Sequence, residues 1–301
     1  MTGRVLVLGA INVDMVAMTE RRPTGGETVI AIGYQRSSGG KGANQAAAAA
    51  RVGADVALVA AVGDDEAGIH ELDELRRRAV RTDSVATIAG APTGIAMITV
   101  TPDGENAIVI VPGANEHLDV GHVDASMAQA GDPAVLVLQT EINPRLVDRV
   151  ASRASASRVV LNNGPWVGLA PSTLRRADPL VVNELEARDA CGLAGADLPP
   201  KDLARRVREV TQARTVLVTL GPVGVSISAN GGDDFVPALA ASTVVDTTGA
   251  GDTFVGTLAA HLARGEDLTI AVGAAVAAAS EVVTWRGARP PLEGSETTGG
   301  D

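Results

Sequence analysis

Short, continuously apolar runs recur along the chain, each followed by a segment of helical length: Val5–Leu8, Val56–Ala61, Val135–Leu138, Val159–Leu161, Leu180–Val182 and Val216–Thr219. A strand apolar on both faces must be covered on both faces, so this rhythm predicts an α/β fold, a central mostly parallel sheet with helices on both sides. Helices are expected over Ala43–Val52, Glu66–Ala79, Pro144–Ala154, Leu203–Thr211 and Gly251–Arg264, two of them closed by Gly53 and Gly265. The alanine-rich stretch Leu268–Ser280 reads as a buried helix and falls short of the ~18 apolar residues a membrane span needs.

Two segments break the rhythm. Thr28–Gln35 reads as a strand, and Gly94–Thr101 with Asn106–Val111 reads as a hairpin turning through Pro102, Asp103 and Gly104. They predict a small β-sheet lid, residues 15–35 and 94–111, projecting from an α/β domain of residues 1–14, 36–93 and 112–301. The segment Glu293–Asp301 is expected to fray.

With 25 Lys and Arg against 36 Asp and Glu, the formal net charge of -11 offers no positive field for nucleic acid or an anionic membrane. The lone cysteine, Cys191, reads as a small buried residue, and the start of the chain lacks a signal-peptide pattern, so a cytoplasmic location is expected.

The strongest chemical signal is Asp246-Thr-Thr-Gly-Ala-Gly-Asp252, which opens a helix after the β-rich stretch Thr243–Val245. Gly249, Ala250 and Gly251 let backbone N–H groups gather at a helix N-terminus, an anion hole in form, with Asp252 beside it as a candidate proton acceptor. Gly39-Gly-Lys-Gly-Ala-Asn-Gln45 starts another helix. It is no Walker loop, but Gly40, Lys41 and Asn44 suit close approach to a polyhydroxy ligand. Asn12 and Asp14 alternate in extended chain after the first strand and so point the same way. Asn183 with Glu186, and the loop Thr219, Leu220, Gly221, Pro222, Val223, Gly224, follow two further strands, where a nucleotide would cross the sheet edge and Glu186 would steer hydrated Mg²⁺. No G-x-G-x-x-G follows the first strand, which disfavours a nicotinamide enzyme; an intact acid beside an anion hole disfavours a non-catalytic sensor.

Taken in order, these segments resemble the PfkB carbohydrate kinases from Val7 to about Pro290, most specifically in GGKGANQ and DTTGAGD. Gly104, Glu105 and Asn106, and Gly113, Ala114 and Asn115, add support. The resemblance implies ATP-dependent phosphorylation of a sugar, with the 5-hydroxyl of D-ribose favoured over 2-deoxyribose, a ketose or a nucleoside. It implies Asp252 as base and Gly249, Ala250 and Gly251 as anion hole. Asn12, Asp14, Gly40, Lys41, Asn44, Glu141 and Asp252 would hold the sugar. Asn183, Thr219–Gly224 and Gly251 would hold ATP. K⁺ is implied beside Asp246, Thr248, Val282, Trp285 and Gly287, although Pro291 stands where a polar side chain is expected. A second departure is Asn162-Asn-Gly-Pro165 on the nucleotide side. A homodimer through the lid strands is also expected.

Overall fold

The computed structural model describes residues 3–102, 106–193 and 198–292. In chain order its elements are β1 Val5–Leu8, β2 Asn12–Met18, β3 Gly33–Gly39, α1 Lys41–Arg51, β4 Val56–Gly63, α2 Glu66–Arg77, β5 Val80–Arg81, β6 Val85–Ile88, β7 Gly94–Val100 and β8 Asn106–Val111. There follow α3 Val120–Ala130, β9 Val135–Gln139, α4 Pro144–Arg153, β10 Arg158–Asn162, α5 Pro171–Arg176, β11 Ala177–Asn183, α6 Glu184–Ala190 and α7 Leu203–Thr211. The last are β12 Val216–Thr219, β13 Gly224–Ala229, β14 Gly232–Pro237, α8 Ala250–Ala263 and α9 Leu268–Val282.

The large sheet runs β14-β13-β12-β11-β10-β9-β1-β4-β5, with β6 also paired to β4. From β12 to β5 the pairs are parallel, and the six apolar runs predicted as strands lie among them. Alternation along each strand feeds two cores. Leu6 and Leu8 join Val123, Leu146, Val147 and Leu203 on one face. Val5 and Val7 join Ala43, Leu75, Phe254, Leu258 and Val272 on the other. Burial of both faces is the reason these strands read as unbroken apolar runs.

The small sheet runs β3-β2-β7-β8. The hairpin is present, with Ile95 opposite Val111 and Val100 opposite Asn106; Asp103, Gly104 and Glu105 of its turn lie outside the described residues, as does Glu293–Asp301.

Several expectations are corrected. The strand read at Thr28–Gln35 begins at Gly33 and runs on to Gly39, because its register is set by pairing with β2, Asn12 opposite Gly39 and Met18 opposite Gly33. Its Thr28–Ile32 portion is irregular, with Ile30 and Ile32 exposed. Thr243–Val245 is no strand: it has no neighbour in the sheet, and Val245 N–H donates to the Val283 carbonyl at 2.8 Å. Leu268–Ser280 is helical within α9 but buries one stripe, Ala271, Val272, Ala275 and Val276, leaving Ile270 exposed. Cys191 is half-buried, capping α6. The antiparallel pair β13–β14 was not expected.

Candidate active site

The parallel strands all end on one side of the sheet, where open α/β sheets gather ligand contacts. There a cavity of about 730 Å³ opens beneath the small sheet. Of the predicted residues, Asn12, Asp14, Gly40, Lys41, Asn44, Glu141, Glu186, Asp246, Thr248, Gly249, Asp252 and Gly287 line it. Asn183 and the Thr219–Gly224 loop sit further along the same edge, at the ends of β11 and β12. Ala250, Gly251, Val282 and Trp285 do not line it: Val282 is fully buried, and the Trp285 ring packs on Arg51 at the far end of α1, 4.7 Å from the guanidinium carbon to the ring centroid.

Two close approaches build its floor. Strand β2 lies so near the end of β3 that a Cβ on Gly39 would fall 2.0 Å from the Asp14 carboxylate. Helix α8 presses on α1 so tightly that a Cβ on Gly256 would stand 2.2 Å from the Gln45 carbonyl. The second contact delivers α1 side chains to Asp252, in the first turn of α8. Asn44 Nδ2 donates to Asp252 Oδ2 at 3.0 Å and Gln45 Nε2 donates to Oδ1 at 3.1 Å. Gln45 was unassigned by sequence reasoning, though it ends the glycine-rich motif. Asn12 faces the cavity beside Asp14 and is held by Asn115, whose Nδ2 donates to Asn12 Oδ1 at 2.9 Å.

Four carboxylates, Asp14, Glu141, Glu186 and Asp252, converge with Lys41. Burial, together with the charge of Glu141, pushes the Asp14 carboxyl up to about 7, against a pull from Arg289. Burial likewise raises Glu141, whose Oε2 accepts from the Lys41 backbone N–H at 2.9 Å, and Glu186. The Asp252 charge, above all, holds the Lys41 ammonium well above its usual range. Carboxyls held in this way can both accept from and donate to the hydroxyls of a bound ligand.

The loop read as an anion hole turns into α8 at Gly249. Gly249 caps α8 with φ 76°, and a Cβ there would fall 2.5 Å from Ala288 Cα. Of the predicted donors, Ala250 N–H donates to the Thr247 carbonyl at 3.3 Å, whereas the N–H groups of Gly251 and Asp252, in the first turn, have no intrahelical acceptor. Space beside Gly251 is open.

Asp246 braces this loop to the C-terminal segment: Oδ1 accepts from Thr248 N–H at 2.8 Å and Oδ2 from Gly287 N–H at 2.9 Å. Each oxygen accepts one N–H and keeps a further lone pair, so the brace leaves Asp246 able to meet a cation as well. Glu186 completes a capping box with Asn183, accepting from its N–H at 2.8 Å through Oε2. A Cβ on Gly164 would lie 2.5 Å from Glu186 Oε1, so the second departure noted in the sequence sits directly against this carboxylate.

Sequence reasoning also missed Arg289. It is buried behind Asn44, and no local pattern around it marks it as other than a solvated arginine.

An acid at a helix N-terminus beside a polar cavity is an arrangement that transfer of a phosphoryl group to a hydroxyl can use. A family profile described as pfkB family carbohydrate kinase matches residues 2–294, and the chain belongs to that family. It is 35% identical over 287 residues to ribokinase of Bacillus subtilis strain 168, covering 95% of this chain and 94% of that one. The fold is ribokinase-like. The structure of Arabidopsis thaliana ribokinase complexed with ribose and ATP superposes with a TM-score of 0.83 at 30% identity, covering 96% of this chain and 95% of that one. Ribokinase of Cryptococcus neoformans var. grubii serotype A in complex with ADP gives 0.82 at 31% identity, covering 95% of each chain. Among the described residues no helix is long and apolar enough to cross a membrane.

Proposed function

We propose that this chain transfers the γ-phosphoryl group of ATP to the 5-hydroxyl of D-ribose, giving ribose 5-phosphate and ADP in the cytoplasm. The observation that carries the reading is Asp252, held by Asn44 and Gln45 between the anion-hole loop and the cavity that Asn12 and Asp14 line.

In this reading Asn12, Asp14, Lys41, Asn44 and Glu141, with the Gly40 backbone, hold the sugar so that its 5-hydroxyl meets Asp252. Asn183, Thr219–Gly224 and Gly251 hold ATP with its γ-phosphate over the N-terminus of α8. As the bond from O5 to the γ-phosphorus forms and the bond to the β,γ-bridging oxygen breaks, the hydroxyl proton passes to Asp252 and then to water. The loop of Gly249, Ala250 and Gly251 would present N–H groups to the charge on the transferring group, that of Ala250 by leaving the Thr247 carbonyl. Glu186 would hold Mg²⁺ through water, and Asp246, Thr248, Val282, Trp285 and Gly287 would hold K⁺ mostly through carbonyls; these ions supply neutralisation of the phosphate charge. The small sheet closes as a lid and excludes water, which suppresses ATP hydrolysis. Val16, Ile98, Ile108 and Ile110 line the cavity from that sheet. Its exposed edge strand β8 favours a homodimer paired through the lid.

The test is ADP release from ATP and Mg²⁺ with ribose, 2-deoxyribose, fructose or adenosine, each in K⁺ and in Na⁺. Ribose-dependent turnover, faster in K⁺, is expected. Preference for another acceptor would discard ribose, and silence across the panel would discard all four acceptors and favour a non-catalytic sensor on the same fold.

A further inference from the structure

Arg289 lies in the segment that follows the anion-hole brace, two residues beyond Gly287, and its side chain is 3% exposed. Its guanidinium reaches three elements. Nε donates to Asn44 Oδ1 at 2.9 Å on α1, and Nη2 to the Gly39 carbonyl at 2.9 Å at the end of β3. Nη1 donates to Glu74 Oε2 at 2.7 Å and Glu71 Oε2 at 3.2 Å on α2. Arg78 joins from the other side, bonding Glu74 and the Pro290 carbonyl, so two arginines face two glutamates.

Asn44 carries one oxygen and one NH2, and the Asp252 carboxylate, which only accepts, can be met by the NH2 alone. A guanidinium has no acceptor, so only the amide oxygen can face Arg289. That leaves Nδ2 to donate to Asp252 Oδ2, the geometry observed. Without Arg289 the amide oxygen has no donor, and a single bond from Nδ2 to Asp252 leaves the side chain free to pivot about that contact.

We propose that Arg289 is a positioning residue for the base: it locks the Asn44 amide with its NH2 toward Asp252 and ties β3 and α2 to that arrangement. Because Gly287 N–H binds Asp246 in the same short segment, one stretch of chain sets both the anion-hole loop and the orientation of the base. The proposal rests on the kinase reading of the site.

Deleting Arg289 alone strands two buried glutamates, so the test uses a compensated background. Glu71→Gln/Glu74→Gln leaves amide oxygens for Arg289 and is expected to turn over like the parent enzyme. Adding Arg289→Met removes the donor to Asn44. Turnover is counted per ATP-binding site, measured by calorimetry, so a misfolded fraction does not register. The expected result is a fall in kcat of at least tenfold with KM for ATP within twofold, and faster solvent exchange of the Asn44 side-chain NH2 in a ¹⁵N spectrum. A kcat within twofold of the background with an unchanged Asn44 signal would overturn the proposal. A parent enzyme silent with every acceptor would count against the proposed phosphoryl transfer to those acceptors instead, and the Asn44 signal would still decide the positioning.

Discussion

Replacing Asp252 with Asn removes one charge and swaps one oxygen for an NH2, with almost no change in shape. Two donors converge on the two oxygens at 3.0 and 3.1 Å, so in the variant one of them faces an NH2. Gln45 can respond by rotating its amide, since its Oε1 is buried without a partner. That rotation takes Nε2 away from Asn162 Oδ1, now 2.9 Å distant. Asn44 cannot respond, because Arg289 occupies its oxygen. One polar group therefore loses its partner in either arrangement, at a cost of about 1–3 kcal/mol. Lys41 also loses the charge that contributes most to stabilising its ammonium. A melting temperature lower by roughly 2–8 °C is expected, with the fold intact. Loss of a general base costs roughly 10²–10⁴ in rate. Initial rates of ADP release at saturating ribose, ATP and Mg²⁺, beside calorimetric ATP binding, separate the two effects: kcat collapses while ATP still binds. A variant retaining kcat within tenfold of the parent would show that Asp252 is not the base.

Asp14 predicts a pH dependence. Its carboxyl keeps a proton up to about 7 in the folded chain against 3.8 when unperturbed. Between those values the folded state binds more protons than the unfolded one, so this group's contribution favours folding most at low pH and declines as pH rises toward 7. Sugar hydroxyls donating to an ionised Asp14 reverse that preference, so KM for ribose should rise as pH falls below 7, and Asp14→Asn should raise KM and flatten the curve. Gly249→Ala forces a non-glycine residue to φ 76° and a methyl against Ala288. Its strain is about 1–3 kcal/mol, and displacement of the anion-hole donors should lower kcat by roughly 10²–10³, measurable in steady-state assays. Gly164→Ala pushes on the Glu186 carboxylate and should raise the Mg²⁺ concentration for half-maximal rate several-fold in a Mg²⁺ titration.

Much of this architecture is legible in the sequence because its physics is local or periodic. Strands buried on both faces, such as Val135–Leu138, announce themselves as apolar runs. The glycines of GGKGANQ and DTTGAGD mark places where backbone must approach backbone or take a left-handed turn. What stayed hidden depends on partners distant in the chain. Strand β3 owes its start at Gly33 to register with β2 rather than to composition. Val244 and Val245 have strand-like side chains, yet no sheet edge receives them. Gln45 joins the site only because α8 crowds α1 at Gly256. Arg289 meets Asn44 across 245 residues of sequence, and nothing short of the fold places an arginine there.

The central claim is that Asp252 and the α8 N-terminus direct one phosphoryl group onto one primary hydroxyl. ³¹P and ¹³C spectra of a reaction run to completion with ATP, Mg²⁺, K⁺ and uniformly ¹³C-labelled ribose test this most directly. The account predicts ADP and ribose 5-phosphate in equal amounts, with phosphorus coupled to C5. Phosphate on C1, or free phosphate released with ribose unchanged, would contradict it.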